Sequence, residues 1–199
     1  MIYDLEKLDA TNIYHMMAQT VIPRPIAWIV TQDEKEIVNI APFSFFTPLS
    51  SSPATVIVSI GSKSTGEKKD TLTNILNTKK CIICMVDEHN LEKMHFSSKE
   101  LSSSISEAKE FNIKTTVKFD GFPPIIENTS VAYCCTFNQI VNLGESPRTL
   151  PVVLNVEQIY INDEVLSTPA KPKINFNPVA RVAREYAFLG ENISVPKIP

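Results

Sequence analysis

Apolar residues along this chain gather in short runs separated by hydroxyl-, proline- and charge-rich breaks, and only a few stretches repeat at helical spacing. Over residues 9–18 the spacing of Ile13, Tyr14, Met17 and Val21 predicts an amphipathic helix capped by Asp9 or Thr11. Pro23-Arg24-Pro25 ends that helix and forces an extended entry into the strand Ile26-Ala27-Trp28-Ile29-Val30. The charged tip at 31–36 reads as a hairpin loop that returns through Ile37-Val38-Asn39-Ile40. Further strands are expected at 54–60, 81–86, 125–126, 130–141 and 150–161, with a turn at 142–148. Helices are expected at 72–76 and 91–96, and at 97–111 from the spacing of Leu101, Ile105, Ala108 and Phe111. This balance predicts a mainly β chain, a closed or partly closed antiparallel barrel with peripheral helices, and one domain over residues 1–199. No linker precedes the break at 167–173. The tail at 177–190 is apolar enough to need a surface, on the barrel or on a partner.

The stretch Asn39-Ile40-Ala41-Pro42-Phe43-Ser44-Phe45-Phe46 joins two apolar runs but is poor strand material. Pro42 lacks an amide hydrogen, so it is expected to push the chain out of regular pairing and free neighbouring backbone groups for a flat heteroaromatic ligand. On composition alone the stretch reads as a bulged edge strand carrying a hydrophobic cluster.

The hydrophobic share of 43% and charged share of 21% are those of a globular protein. The net charge of −3 and pI near 5.7 argue against a nucleic-acid surface, which needs a basic face. The chain shows neither a membrane-length apolar run nor a signal-peptide plan, so a cytoplasmic protein is expected, and N-x-[ST] matches at Asn128 and Asn192 then carry no glycan. Cys81 and Cys84 fall in one strand on opposite faces, as do the adjacent Cys134 and Cys135, so neither pair shares a metal or a disulfide. His89 and His95 share no helical face and His15 has no ligand-spaced companion, so no metal site is expected.

Gly61 and Gly66 have P-loop spacing, but Glu67 stands where the lysine is required, which excludes a triphosphate site of that kind. The same loop, with Lys63, Lys68, Lys69 and several hydroxyls ahead of a helix capped near Asp70 or Thr71, suits a phosphomonoester, or is simply solvated. Arg24, displayed between two prolines, suits an anion or a surface ion pair.

Four motifs in order, Pro23-Arg24-Pro25-Ile26-Ala27-Trp28, the stretch from Asn39 to Phe46, Lys69-Asp70-Thr71 with Asn74, and Pro178-Val179-Ala180-Arg181 followed by Tyr186, together resemble the flavin reductase-like family of FMN-binding split barrels, especially its flavoredoxin-type branch. The resemblance covers roughly residues 10 to 190. It implies an antiparallel Greek-key barrel that dimerises and holds FMN near the subunit interface. It implies that Asn39, Ala41, Pro42, Phe43, Ser44 and Phe45 line the flavin ring, with Arg24 and Trp28 also at the cofactor. Ser59, Gly61, Ser62, Lys63, Lys69, Asp70 and Thr71 would take the phosphate. The tail departs from the family, since Val182-Ala183-Arg184 stands where many relatives carry glycines.

With five glycines and no G-x-G-x-x-G, any NAD(P)H is expected to bind transiently beside the flavin and not on a Rossmann domain. The resemblance implies an NAD(P)H-dependent reductase that passes electrons from FMN to a protein acceptor or a ferric complex, with no catalytic side chain. Two other readings stay open: a non-catalytic electron carrier reduced by a partner protein, and a flavin- or haem-binding barrel without turnover.

Overall fold

The computed structural model describes residues 1–144, 149–168, 172–195 and 198, so the turn expected at 142–148 and the break at 167–173 lie partly outside it. The predicted N-terminal helix is α1 (Ala10–Thr20), whose N-cap Asp9 accepts from the Thr11 and Asn12 amides. There follow β1 (Arg24–Pro25), β2 (Ala27–Gln32), β3 (Val38–Phe43), β4 (Phe46–Ser51), β5 (Ala54–Gly61), α2 (Asp70–Thr78), β6 (Lys80–Met85), α3 (Leu91–Phe96) and α4 (Glu107–Glu110). The remainder is β7 (Thr115–Thr116), β8 (Ile125–Ile126), β9 (Val131–Ile140), β10 (Thr149–Ile161), β11 (Val179–Val182) and β12 (Glu185–Phe188).

Among the described residues an antiparallel sheet of seven strands runs in the order β3-β2-β6-β9-β10-β5-β4. Its two edges, β3 and β4, are consecutive in sequence, with only Ser44 and Phe45 between them. A flat sheet of this width would hold its edges about 29 Å apart, six spacings of about 4.8 Å. The chain from Phe43 to Phe46 reaches at most about 11 Å. The sheet must therefore curl until its edges approach, and the Ser59 amide, donating to the Phe45 carbonyl at 2.8 Å, extends the β4–β5 ladder into the crossing. The result is a split antiparallel barrel, as the strand pattern predicted.

Alternation along the strands divides the core in two. Ala27 and Ile29 of β2, Cys81 and Ile83 of β6, Cys135 of β9 and Leu154 of β10 face the barrel interior, plugged by Leu72 and Ile75 of α2. Trp28, Val30, Ile82, Cys84 and Cys134 face the opposite way, under Met94, Ile113 and Phe119. Both faces of β2 are thus buried, which its unbroken apolar sequence reflects. The cysteines of each expected pair lie in different clusters.

Three sequence-based expectations are corrected. Pro42 does not break the ladder: β3 pairs with β2 in unshifted register, with Pro42 opposite Trp28. The proline is accommodated because it occupies an outward position of an edge strand, where no partner asks for its N–H. Residues 97–111 form no long helix, only the turn α4, because local serine bonds such as the Ser104 amide to Ser102 Oγ compete with the helix. Ser106 and Glu107 are drawn to the β3 edge instead: Ser106 Oγ donates to the Val38 carbonyl at 2.6 Å, and Glu107 Oε2 accepts from the Ile40 backbone amide at 2.9 Å and from Asn39 Nδ2 at 3.0 Å. Finally, α2 begins at Asp70 with Lys69 as N-cap, and no side chain caps it.

The tail lies on the barrel. β11 pairs with β1 on one side and β12 on the other, the Val179 amide donates to Val86 at 2.8 Å, and Val179 and Ala180 are buried.

Glu107 closes an edge that would otherwise expose its donors, and burial raises its pKa against the pull of the Ile40 and Asn39 bonds. Glu107→Ala, which leaves two buried donors without an acceptor, is expected to cost about 2 kcal/mol and lower Tm by roughly 6 °C. The folded chain holds the Glu107 proton more tightly than the unfolded chain does. Stability therefore falls as pH rises from the ordinary glutamate value through the raised folded one, and in Glu107→Gln that fall should be absent from denaturation midpoints measured across the window.

Candidate functional site

The seam of the barrel opens into a cleft of about 700 Å³. Its wall combines the end of β3 and the crossing (Pro42, Phe43, Ser44, Phe45), the end of β5 and the loop after it (Ser59, Gly61, Ser62, Lys63, Ser64), and Lys69 at the start of α2. Tyr14 of α1, Met94 and His95 of α3, and Arg181 and Tyr186 of the tail complete it. The volume falls in the range of small-molecule sites.

One side is polar and cationic. The loop turns tightly, with the Gly66 amide donating to Lys63 at 2.9 Å and the Lys63 amide to Glu67 at 2.7 Å. Gly66 takes φ +87, a conformation glycine adopts without strain. Lys63 Nζ donates to Asp70 Oδ1 at 2.7 Å, an ion pair that fixes the lysine against the first turn of α2. Ser64 offers its amide and hydroxyl to Glu100, at 3.0 and 2.7 Å, and those two bonds hold the exposed Glu100 carboxyl below its ordinary pKa, with Lys69 and Lys63 adding to the effect. Lys69 has no carboxylate within ion-pair distance among the described residues. The donors of α2 and this lysine make the loop side suited to an anion.

The other side is aromatic. Tyr14 stacks on Phe45 with centroids 5.4 Å apart, His95 meets Tyr186 edge-on at 5.7 Å, and His95 Nδ1 lies 3.0 Å from the Tyr186 hydroxyl. Arg181 sits over the Tyr186 ring at 4.6 Å.

Nine of the residues the sequence assigned to the cofactor line this cleft: Pro42, Phe43, Ser44, Phe45, Ser59, Gly61, Ser62, Lys63 and Lys69. The other six stand behind it. Trp28 is fully buried, its indole N–H donating to Ser97 Oγ at 2.9 Å. Asn39 and Thr71 are buried partners, the Thr71 hydroxyl donating to Asn39 Oδ1 at 3.1 Å, so Thr71 is turned inward from the loop. Ala41 is held in the ladder opposite Ile29. Asp70 answers Lys63. Arg24 is neither a surface ion pair nor displayed to an anion: it is 4% exposed and contacts carbonyls and a hydroxyl. Its Nη1 donates to the Ala18 carbonyl and to Val21 at 3.1 Å, Nη2 to Ala183 at 3.3 Å, and Nε to Ser44 Oγ at 3.5 Å. Burial lowers its pKa, Tyr14 opposes that, and the charge of Arg181 adds to it.

Tyr14, Ser64, Met94, His95 and Thr149 were not among the sequence candidates. The His95–Tyr186 bond spans 91 residues, and no periodicity links such partners. Among the described residues no three metal-ligating groups converge, and burial pushes Cys84 up to about 12 and Cys134 up to about 11, so these thiols stay protonated at neutral pH. No helix among the described residues is long and apolar enough to cross a membrane.

In structure the chain is similar to nitrilotriacetate monooxygenase component B from Bacillus cereus, with TM-score 0.90, 21% identity and 98% of each chain covered. It is also similar to flavoredoxin of Desulfovibrio vulgaris, with TM-score 0.76, 16% identity and 98% and 97% of the two chains covered. A protein of Aquifex aeolicus is 25% identical over 189 residues, 92% of each chain. The flavin reductase like domain matches residues 17–181, which includes the seam and reaches into β11. The chain therefore belongs to the flavin reductase-like family, and with it to the flavin-using oxidoreductases.

Proposed function

We propose that the seam cleft binds FMN and that the protein is an NAD(P)H-dependent flavin reductase handing electrons to a further acceptor. The observation that carries this reading is the cleft's two-sided chemistry: Ser62, Ser64, Lys69 and the start of α2 at one side, ring faces at the other. When bound, FMN would supply the redox chemistry itself, accepting a hydride equivalent and releasing electrons. The chain's own part is position. Phe43 and Ser44 end the β3 ladder at the cleft, and Arg24 braces Ser44 and Phe45 from behind, with its guanidinium carbon 5.9 Å from the Phe45 ring centre. Tyr14, stacked on Phe45, holds that ring in place, and the bonded His95 and Tyr186 fix each other on the same aromatic side. No nucleophile or acid–base pair is needed for that work.

The Bacillus cereus neighbour is component B of a monooxygenase, which fits an acceptor that is a partner enzyme. The flavoredoxin neighbour fits a second reading, a carrier reduced by a partner protein. Under either, the family resemblance implies a homodimer.

Purified protein should be yellow, and its visible flavin absorbance should bleach on anaerobic addition of NADH or NADPH. Bleaching only with a partner reductase would favour the carrier, and colourless protein that takes up no FMN would end both readings. The phosphate side is tested separately. Lys69→Ala should weaken FMN about tenfold while leaving riboflavin within about twofold, because one charge-assisted contact is worth about 1.4 kcal/mol or more and only FMN carries the phosphate. Thr71→Ala, whose hydroxyl serves Asn39, should change both flavins alike. Equal losses for Lys69→Ala in a fluorescence titration would misplace the phosphate.

A further inference from the structure

A second cavity of about 780 Å³ adjoins the seam cleft and shares Tyr14 and Arg181 with it. It lies between α1 and the β11–β12 hairpin, and its polar wall is His15, Gln19, Arg181, Arg184 and Glu185. The hairpin turn passes through Ala183 at φ 48, a left-handed conformation uncommon for a residue with a side chain, and Arg24 bonds the Ala183 carbonyl. The turn thereby carries Arg184 toward α1, where its Nη2 lies 3.1 Å from His15 Nε2. A guanidinium only donates, so in this contact the imidazole accepts at Nε2.

The charge around this cavity is unbalanced. Among the described residues the ion pairs join Lys7 to Asp4, Lys63 to Asp70 and His89 to Glu88; Arg24, Arg181 and Arg184 have none. Each guanidinium meets other groups instead: carbonyls for Arg24, the Tyr186 ring for Arg181, an imidazole for Arg184. Glu185 is the single acid on the wall. In a chain of net charge −3, gathering guanidiniums around one hollow with a single carboxylate and no ion pair builds local repulsion that an anion of matching geometry relieves, and the planar fork of arginine matches phosphate. The chain also lacks a glycine-rich dinucleotide fingerprint, so a dinucleotide needs another cationic holder for its phosphates.

We propose that this second cavity holds the phosphates of the nicotinamide dinucleotide donor on Arg184 and Arg181, while its nicotinamide end reaches the flavin cleft past Tyr14. The inference rests on the reading that the donor is NADH or NADPH. Arg184 is exposed and does not line the flavin cleft, so it is the position to vary.

The experiment compares the flavin-loaded full chain with Arg184→Gln and Arg184→Lys. Calorimetric titration with oxidised NAD+ and NADP+ should show binding weakened about tenfold in Arg184→Gln and partly restored in Arg184→Lys, with FMN affinity unchanged. The KM for NADH or NADPH should rise by a similar factor, while bleaching by 1-benzyl-1,4-dihydronicotinamide, which carries no phosphate, should change by less than about twofold. A loss greater for NADPH assigns the contact to the 2′-phosphate, and equal losses assign it to the pyrophosphate. Wild-type protein bleached by a dinucleotide, with Arg184→Gln leaving both Kd and KM unchanged or slowing the benzyl donor equally, overturns the inference alone. Wild-type protein bleached by the benzyl donor but by neither dinucleotide overturns the functional reading and the inference together.

Discussion

Two residues, Ser44 and Phe45, join strands that lie at opposite edges of a sheet of seven. That short crossing cannot span a flat sheet, so it obliges the strands to curl, and the closure is left imperfect at the crossing itself. The functional cleft is this imperfection. A barrel closed by regular pairing would bury the end of β3 in a ladder; here the ladder stops at Phe43, and the groups beyond it face a hollow with ring faces on one side and a cationic loop on the other. Because the crossing is so short, the cleft's position follows from topology and not from any one side chain.

A crossing held by a single ladder bond, from Ser59 to Phe45, needs further support, and Arg24 supplies it. A single buried guanidinium reaches the end of α1, the tail hairpin and the Ser44 hydroxyl, three segments distant in sequence. A buried cation without a carboxylate is costly, and here carbonyl oxygens at a helix C-terminus offset that cost through bonds and dipole. The far edge is sealed differently. Glu107 and Ser106 occupy the outward groups of Ile40 and Val38, and Pro42 has no donor to offer, so β3 presents little for another strand to pair with.

Local chemistry was legible in the sequence wherever a periodicity or a breaker fixed it. The strands, the Asp9 cap, the opposed cysteine faces and the stop at Pro23 all follow from spacing and backbone rules, whereas the flavin wall is only what the family resemblance implies. The errors share one cause. Pro42 reads as a ladder breaker, Ser97 to Phe111 as a helix, and Arg24 as a surface group when each is judged by its neighbours in sequence. Each is decided by residues far along the chain: the edge position of β3, the pull of Val38 and Ile40 on Ser106 and Glu107, and the Ala183 carbonyl beside Arg24. Likewise half of the cleft, Tyr14, His95 and Tyr186, comes from segments that meet only after folding.

The arrangement also bears on what the cleft's side chains are free to do. The side chains nearest the cleft are committed to one another: Lys63 to Asp70, Ser64 to Glu100, Tyr14 to Phe45, His95 to Tyr186. Groups so paired are poor proton donors but good fixtures, because each pair holds its partner in one orientation. That is the division of labour expected where a flavin brings the reactivity and the protein must hold a planar ring, a phosphate and a donor in register. The tail fits the same pattern. Its hairpin closes the aromatic side with Tyr186, shares Arg181 between the two hollows and carries Arg184 to the second.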